Sequence, residues 1–470
     1  MLIGRFLENL ASKVVLYFSA IIAILIVLAN IVGIFTFQDL LKFNSTYEII
    51  LIIGIFIAIL FCSRYLYKIK DEKRFIIALF LVGFIVRLVS VIIIKTEPVS
   101  DFKILYDAAN NISSGDYNSV LSNGYFNLWV YQLGFTGYLT VLIKLFGNSV
   151  FMIKVINCIV VSLIPLVIYY SAKLIVSKKS AKIVSLAYCF YIGSIVTTSV
   201  LTNQHMATLF FYLSIYLLLS NLNGAIKWIL VGVCLGLGQF FRPEGAIVIL
   251  AILLFLLFKN ISSLKETTKN IAGGIAAFLI MTLMMQGFSA IFIRAGITKY
   301  NLSNRDPLWK FSCGLNPDTK GLYSVEDDAF IGSYEGGRKE ANMILIKERI
   351  KDPKAIIKTM VYKTSVMWAD DDTSLSFAFT DDVSYRNMYD TTIKIEKIQY
   401  IIVFIVFTLS IVMMLTRREK FLKNYIYLII FLGYFFAHLL IEVQTRYRYF
   451  SIPIFFIISA YGIDNLIKDK

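Results

Sequence analysis

The sequence predicts an all-α polytopic membrane protein with about twelve transmembrane helices. Three observations carry that prediction. Apolar residues make up 58% of the 470-residue chain and charged residues 16%, which is more apolar surface than a soluble chain of this length can cover. The apolar residues gather in runs near the length that crosses a bilayer core, about 20 residues. The basic residues between the runs fall on one common side when each run is taken as a crossing.

The runs are residues 14–37, 47–67, 75–95, 150–176, 181–200, 203–221, 226–241, 245–258, 270–294, 397–416, 422–441 and 448–465. The first is too long for a signal-peptide core and lacks a clear small-residue cleavage site, so it reads as a retained helix. The seventh and eighth are short, as tilted or broken helices are. Segment 132–146, QLGFTGYLTVLIKLF, is apolar but marginal and reads as an interfacial or re-entrant helix that does not cross. Arg64, Lys68, Lys70, Lys73 and Arg74 follow the second run. Lys178, Lys179 and Lys182 follow the fourth, Lys259, Lys265 and Lys269 the eighth, and Arg417, Arg418, Lys420 and Lys423 the tenth. Positive charge stays cytoplasmic. Both termini are therefore expected inside a cell membrane, with the loops 96–149 and 296–396 outside.

Four regions follow from this layout. Residues 1–74 form an N-terminal transmembrane hairpin, and 75–295 a core that includes the outer loop 96–149. Residues 296–396 form an extracytoplasmic insert, and 397–470 the C-terminal transmembrane helices. The insert carries EGGRKEANMILIKERIKDPKAIIKTMVYKTSVMW, two helices broken at Asp-Pro. Its mixed charge and its Ile344, Ile346 and Ile350 predict a small folded, mostly helical cap.

The net charge of +15 is distributed over short loop clusters and forms no continuous stripe, so nucleic acid is not an expected partner. The five cysteines hold no CxxC pair, and neither a disulfide framework nor a zinc site is expected. His205, His438 and Asp101 lack ligand spacing, and no metal site is assigned to them. A divalent cation at the acidic clusters Asp370–Asp372 and Asp381–Asp382 is less favoured than a solvated acidic loop.

The outer loops hold the chemistry. In VSDFKILYDAANNISSGDY, Phe102, Leu105, Tyr106, Ala109 and Ile112 recur at helical spacing. Ser100 is the expected N-cap and Gly115 the C-terminal stop. An amphipathic helix at the outer surface follows, with Asp101 in its first turn, where the helix dipole favours the ionised carboxylate. Such a carboxylate can accept a hydroxyl proton. It can equally do no more than support the helix start. Three further polar groups map to the same face: Asn203, Gln204 and His205; Arg242 and Glu244; and Glu442, Gln444, Arg446, Tyr447 and Arg448. Arg87 lies inside the third run, where an ionisable group is costly and a functional candidate. Several guanidiniums around one outer cavity suit a lipid-linked phosphate.

In order and sidedness, SDFKILYDAANNISSGDY, LTNQHMATLFFYLSIYLLL, WILVGVCLGLGQFFRPEGAIVIL and QTRYRYFSIPIFFIISAYGI resemble the membrane glycosyltransferases of the C superfamily. These are the relatives of the dolichyl-phosphate-mannose protein mannosyltransferases and of the lipid A aminoarabinose transferase. The resemblance runs from about residue 75 to the end. It implies a polyprenyl-phosphate sugar donor, no cofactor, and inverting transfer to a hydroxyl of an envelope glycan, lipid or protein at the outer face of the bilayer. It makes Asp101 the general base. It makes Arg446 and Arg448, then Arg242 and Arg87, the groups on the donor phosphate. Tyr106, Asp107, Asp116, Gln204, His205, Glu244, Glu442, Gln444 and Tyr447 are expected around the substrates. The chain departs from the pattern in YFNLWVYQLGFTGYL, which has neither the second acid nor the proline of many relatives, and at Gln204, where many carry Glu. Asp107 or Asp116 is the expected substitute. A transporter or flippase of a lipid-linked saccharide and a non-catalytic envelope assembly factor are the competing readings.

Overall fold

The structure is a computed structural model that describes residues 2–37, 46–259, 261–380, 383–417 and 422–468. Among the described residues every regular element is helical, and one isolated β-bridge joins Trp129 to Asn304. Each of the twelve apolar runs is helix. Seven helices have the length and composition to cross a membrane: Phe6–Gly33, Glu48–Tyr67, Glu72–Ile93, Val150–Lys173, Gly224–Phe241, Leu264–Arg294 and Val383–Thr416. An eighth crossing is split into Lys178–Cys189 and Ile192–Ser199, bent by 53°.

The other four apolar runs are shorter helices. Gln204–Leu219, Gly245–Lys259, Tyr425–Leu440 and Ile452–Lys468 have 16, 15, 16 and 17 residues, short of the ~20 that a bilayer core needs. Tilting shortens their reach further. They are apolar on nearly every side because they pack among other helices. Tyr425 to Phe431 are consecutively buried. Exposed apolar side chains stand on long and short helices alike, among them Ile57, Leu60, Phe61 and Leu283 on the long ones and Leu250 and Leu440 on the short ones. The helix Leu133–Phe146 has 14 residues and packs on Ser100–Ser114, as an interfacial helix would.

The first helix lies against Arg386–Thr416 and Tyr425–Leu440, and Asn30 Nδ2 donates to the Trp368 carbonyl at 3.1 Å. The N-terminal segment is thereby tied to the C-terminal helices and the insert. Within the insert, Arg338–Arg349 and Pro353–Trp368 are separated at the Asp-Pro step, where Asp352 accepts from the Lys354 and Ala355 amides, each at 3.0 Å. The insert's small core is Trp309, Cys313, Ile331 and Ala341, with Leu345 and Trp129 against it. Ile344 and Ile350 point outward, 37% and 51% exposed, so the packing face lies on the other side of that helix.

The two ends of the bundle are chemically distinct. At one end Glu72 pairs with Lys173 and Lys178, and Asp464 accepts from the Ser177 amide and Ser180. Asp101 follows the far end of the 22-residue helix that Glu72 begins, about 33 Å away along the axis.

Candidate active site

The chain leaves the helix Glu72–Ile93 through an extended stretch ending at Pro98. Lys154 Nζ grips it at the Thr96 carbonyl, 2.6 Å away. The helix Ser100–Ser114 then starts abruptly. Its cap is Val99, without a side-chain cap bond, and not the expected Ser100. Ser100 instead has φ +53°, a strained value for a residue with a Cβ. The sharp turn leaves no room for a serine cap and brings Asp101 inward. Gly115 closes the helix at φ +91°, the left-handed stop its sequence position predicts. Phe102, Leu105, Ala109 and Ile112 form the buried face.

Asp101 Oδ2 lies 3.3 Å from Nη2 of Arg446. Arg446 sits on the short 3₁₀ turn Thr445–Phe450. Gln204 Nε2 donates to its carbonyl at 2.7 Å, and the rings of Phe102, Phe377 and Tyr447 surround its guanidinium at 5.7–5.8 Å. On the same turn the Tyr447 hydroxyl donates to Glu442 Oε2 at 2.7 Å, and Gln444 Nε2 to Glu442 Oε1 at 2.5 Å. Arg242 Nε meets Glu244 Oε1 at 2.8 Å. From Arg242 a relay of side chains runs through Asn203 (3.2 Å) and Gln132 (3.1 Å) to the Tyr125 hydroxyl (3.1 Å). It joins the loop 96–149 to the starts of two short helices.

Lys310 comes from the insert. The Glu442 amide donates to its carbonyl at 2.8 Å, and its ammonium lies 5.4 Å from the Tyr447 ring centroid. Burial pushes this ammonium below the usual lysine range, with the Glu442 charge opposing. Among the described residues it has no carboxylate partner within 4 Å.

These groups enclose two adjoining chambers. The first, of about 320 Å³, adds Arg242, Glu244, Ile247, Tyr434 and His438 to the shared wall. The second, of about 510 Å³, lies under the insert and adds Trp129, Trp309, Tyr323, Asp328, Glu442 and Gln444. Asp101, Tyr131, Gln132, Lys310, Arg446 and Tyr447 line both. The charge balance differs. The first chamber sets Arg242, Lys310 and Arg446 against Asp101 and Glu244. The second sets Lys310 and Arg446 against Asp101, Asp328 and Glu442.

Of the residues expected from sequence, Asp101, Asn203, Arg446, Arg242, Glu244, Glu442, Gln444 and Tyr447 meet here. The others go elsewhere. Arg448 turns into the bundle, fully buried against Glu396 (3.3 Å), the Asp370 carbonyl (2.8 Å) and the Tyr400 ring. Arg87 is fully buried and donates to the Gly83 carbonyl (3.1 Å) and Ser194 Oγ (3.0 Å), outside both chambers. Tyr106 reaches Asn148, Asp107 pairs with Lys103 at the surface, and Asp116 accepts from the Ser119 amide. His205 Nε2 must donate to the Thr197 carbonyl at 3.0 Å, so Nδ1 accepts from the Tyr449 hydroxyl at 2.8 Å. Gln204 acts behind the site, on the Arg446 backbone. Asp372 caps the turn Thr373–Leu375, and Asp381–Asp382 lie outside the described residues. Among the described residues no three His, Cys, Asp or Glu side chains converge as a metal site. Tyr131, Gln132, Lys310 and the Trp129–Trp309 pair were not expected. YFNLWVYQLGFTGYL drew notice only for the acid it lacks.

The fold and site define a polytopic helical membrane protein with a polar, carboxylate-bearing double chamber at one end of its bundle. Residues 136–285 match the family model described as dolichyl-phosphate-mannose-protein mannosyltransferase. The match spans 150 of the 470 residues, and over that stretch the chain is similar to the membrane glycosyltransferases of this family. It covers Asn203, Arg242 and Glu244, while Asp101 and Arg446 lie outside it. No curated protein and no solved structure matches the chain significantly.

Proposed function

We propose that the chain transfers a glycosyl group from a polyprenyl-phosphate sugar to an acceptor hydroxyl at the extracytoplasmic face. The observation that carries this reading is Asp101, a carboxylate on the wall between two chambers of opposite charge balance.

The donor phosphate enters the first chamber, where Arg446, Arg242 and Lys310 take its charge. Ile247 and Ile441, which also line this chamber, offer its tail apolar contacts. The acceptor enters the second chamber from the insert side. Asp101 takes the acceptor's hydroxyl proton as that oxygen bonds to the anomeric carbon. The carbon–oxygen bond to phosphate breaks on the opposite face, its electron pair leaving with the polyprenyl phosphate, and the centre inverts. In the resting site Arg446 pairs with Asp101. A bound phosphate competes for the guanidinium and frees the carboxylate to act as base.

The test is Asp101→Asn in liposomes, with radiolabelled polyprenyl-phosphate sugars and an envelope extract as acceptor. Transfer falls about 10²–10⁴-fold at an unchanged thermal midpoint. Retained transfer overturns Asp101 as the base.

A further inference from the structure

We infer that the acceptor is an uncharged saccharide, bound with a ring face against the aromatic wall of the second chamber. This rests on the glycosyl-transfer reading above and names its acceptor class.

The wall is a row of rings set edge to face or tilted against one another, with Trp309 buried in the insert core and Tyr323 at the exposed end. Tyr125 lies 5.0 Å from Trp129, Trp129 lies 5.6 Å from Trp309, and Trp309 lies 6.1 Å from Tyr323, centroid to centroid. Two of the chain's four tryptophans are in it. A sugar ring presents C–H groups on one face and hydroxyls around its rim. An aromatic face bordered by polar groups matches both. The rim partners are present. The Glu442 and Asp328 carboxylates only accept, and the Gln132 and Gln444 amides both donate and accept. Each Glu442 oxygen already receives one bond, from Gln444 or Tyr447, and keeps a second lone pair. The chamber's volume of about 510 Å³ is that of a small-molecule site, roughly 300–1,000 Å³.

Charge narrows the class. Lys310 and Arg446 sit on the wall shared with the first chamber, where the donor phosphate engages them. What then faces the acceptor is acidic: Asp101 and Glu442, with Asp328 offset by Arg338 at 3.5 Å. A phosphodiester polymer is repelled. One way a peptide acceptor binds is by pairing its backbone with a strand edge. Among the described residues the sole β pairing is the bridge Trp129–Asn304, which is already used to join the two halves of the wall. Arg305 strengthens that joint, its amide donating to the Leu128 carbonyl at 2.9 Å and its Nη1 to the Asn127 carbonyl at 2.8 Å. The wall is thus pre-formed, which lowers the cost of binding.

The experiment titrates the full chain in detergent by tryptophan fluorescence, with polyprenyl phosphate held at saturating concentration so that the first chamber is filled. The probes are neutral trisaccharides of glucose and N-acetylglucosamine, a glycerol-phosphate oligomer and a serine-rich peptide. At least one neutral saccharide gives a saturable change at millimolar concentration, and the other two probes give none. Tyr323→Ala weakens that affinity roughly tenfold. The Tyr323 ring is 48% exposed, so its removal spares the insert core. In parallel, labelled lipid-phosphate sugar is supplied with each probe. Label on the saccharide supports the inference. Saturable binding or labelling of the phosphodiester or the peptide overturns it and leaves glycosyl transfer standing. Saccharide binding without transfer from any donor supports the ligand class and counts against the transferase reading. No saturable change with any neutral saccharide overturns the inference.

Discussion

Arg446 and Arg448 are two residues apart and do opposite work. Arg446 faces the chambers and Asp101, while Arg448 is buried in the bundle against Glu396, which is itself fully buried. Their fates follow from the 3₁₀ turn that carries them: at about three residues per turn, positions two apart point to different faces. Two predictions separate the roles. Arg446→Lys keeps a charge but loses the planar fork that grips phosphate, so donor KM rises and kcat falls, by roughly tenfold or more in kcat/KM, at an unchanged melting temperature. Arg448→Met leaves Glu396 buried beside no guanidinium, and breaking such a pair costs about 3–5 kcal/mol. It is expected to lower the detergent melting temperature sharply and to reduce the yield of folded protein. Steady-state kinetics and thermal unfolding on both variants check this. If Arg448→Met folds normally and raises donor KM instead, Arg448 belongs to the phosphate site after all.

Among the elements, those set by local pattern were legible in the sequence. The helix Ser100–Ser114 shows its apolar spacing and its Gly115 stop, and Asp352 with Pro353 marks a helix start. Asp352→Ala removes a cap that holds two amides and is expected to destabilise the insert by about 1 kcal/mol, measured by thermal unfolding or by protease nicking near that step. What sequence could not show was set by contacts distant along the chain. Ser100 looks like a cap, but the turn into the chamber puts it at φ +53°. Ser100→Gly removes that strain and is expected to stabilise the fold by about 1 kcal/mol, a gain that a capping serine would not give. Lys310 was invisible because it belongs to the insert and reaches the site through the Glu442 amide, 132 residues away in sequence. The lengths of the crossings depend on such contacts too. An apolar run of 15–17 residues reads alike whether it meets lipid or other helices.

For the whole molecule, function depends on the insert staying docked over the bundle, because the second chamber has walls from both. Lys363 is the clearest tie. It is 1% exposed and donates from the insert helix Pro353–Trp368 to the Gly314 and Leu439 carbonyls, both at 2.8 Å. One carbonyl is in the insert and the other ends the helix Tyr425–Leu440. Burial pushes the Lys363 ammonium down to about 7, with the Glu442 charge opposing. In the unfolded chain a lysine holds its proton to about pH 10.4. Below about pH 7 both states carry the proton, and the penalty for burying the charge is constant and largest. Between about 7 and 10 only the unfolded state keeps it, so folding stability rises with pH through that window. Lys363→Met has no proton to lose there. Wild type is therefore expected to gain melting temperature relative to Lys363→Met on going from pH 7 to about 9.5, whatever the offset between the two at pH 7. Parallel melting curves for the two proteins over that range would mean that Lys363 stays charged in the fold, and that the insert is held by an ammonium rather than by a neutral amine.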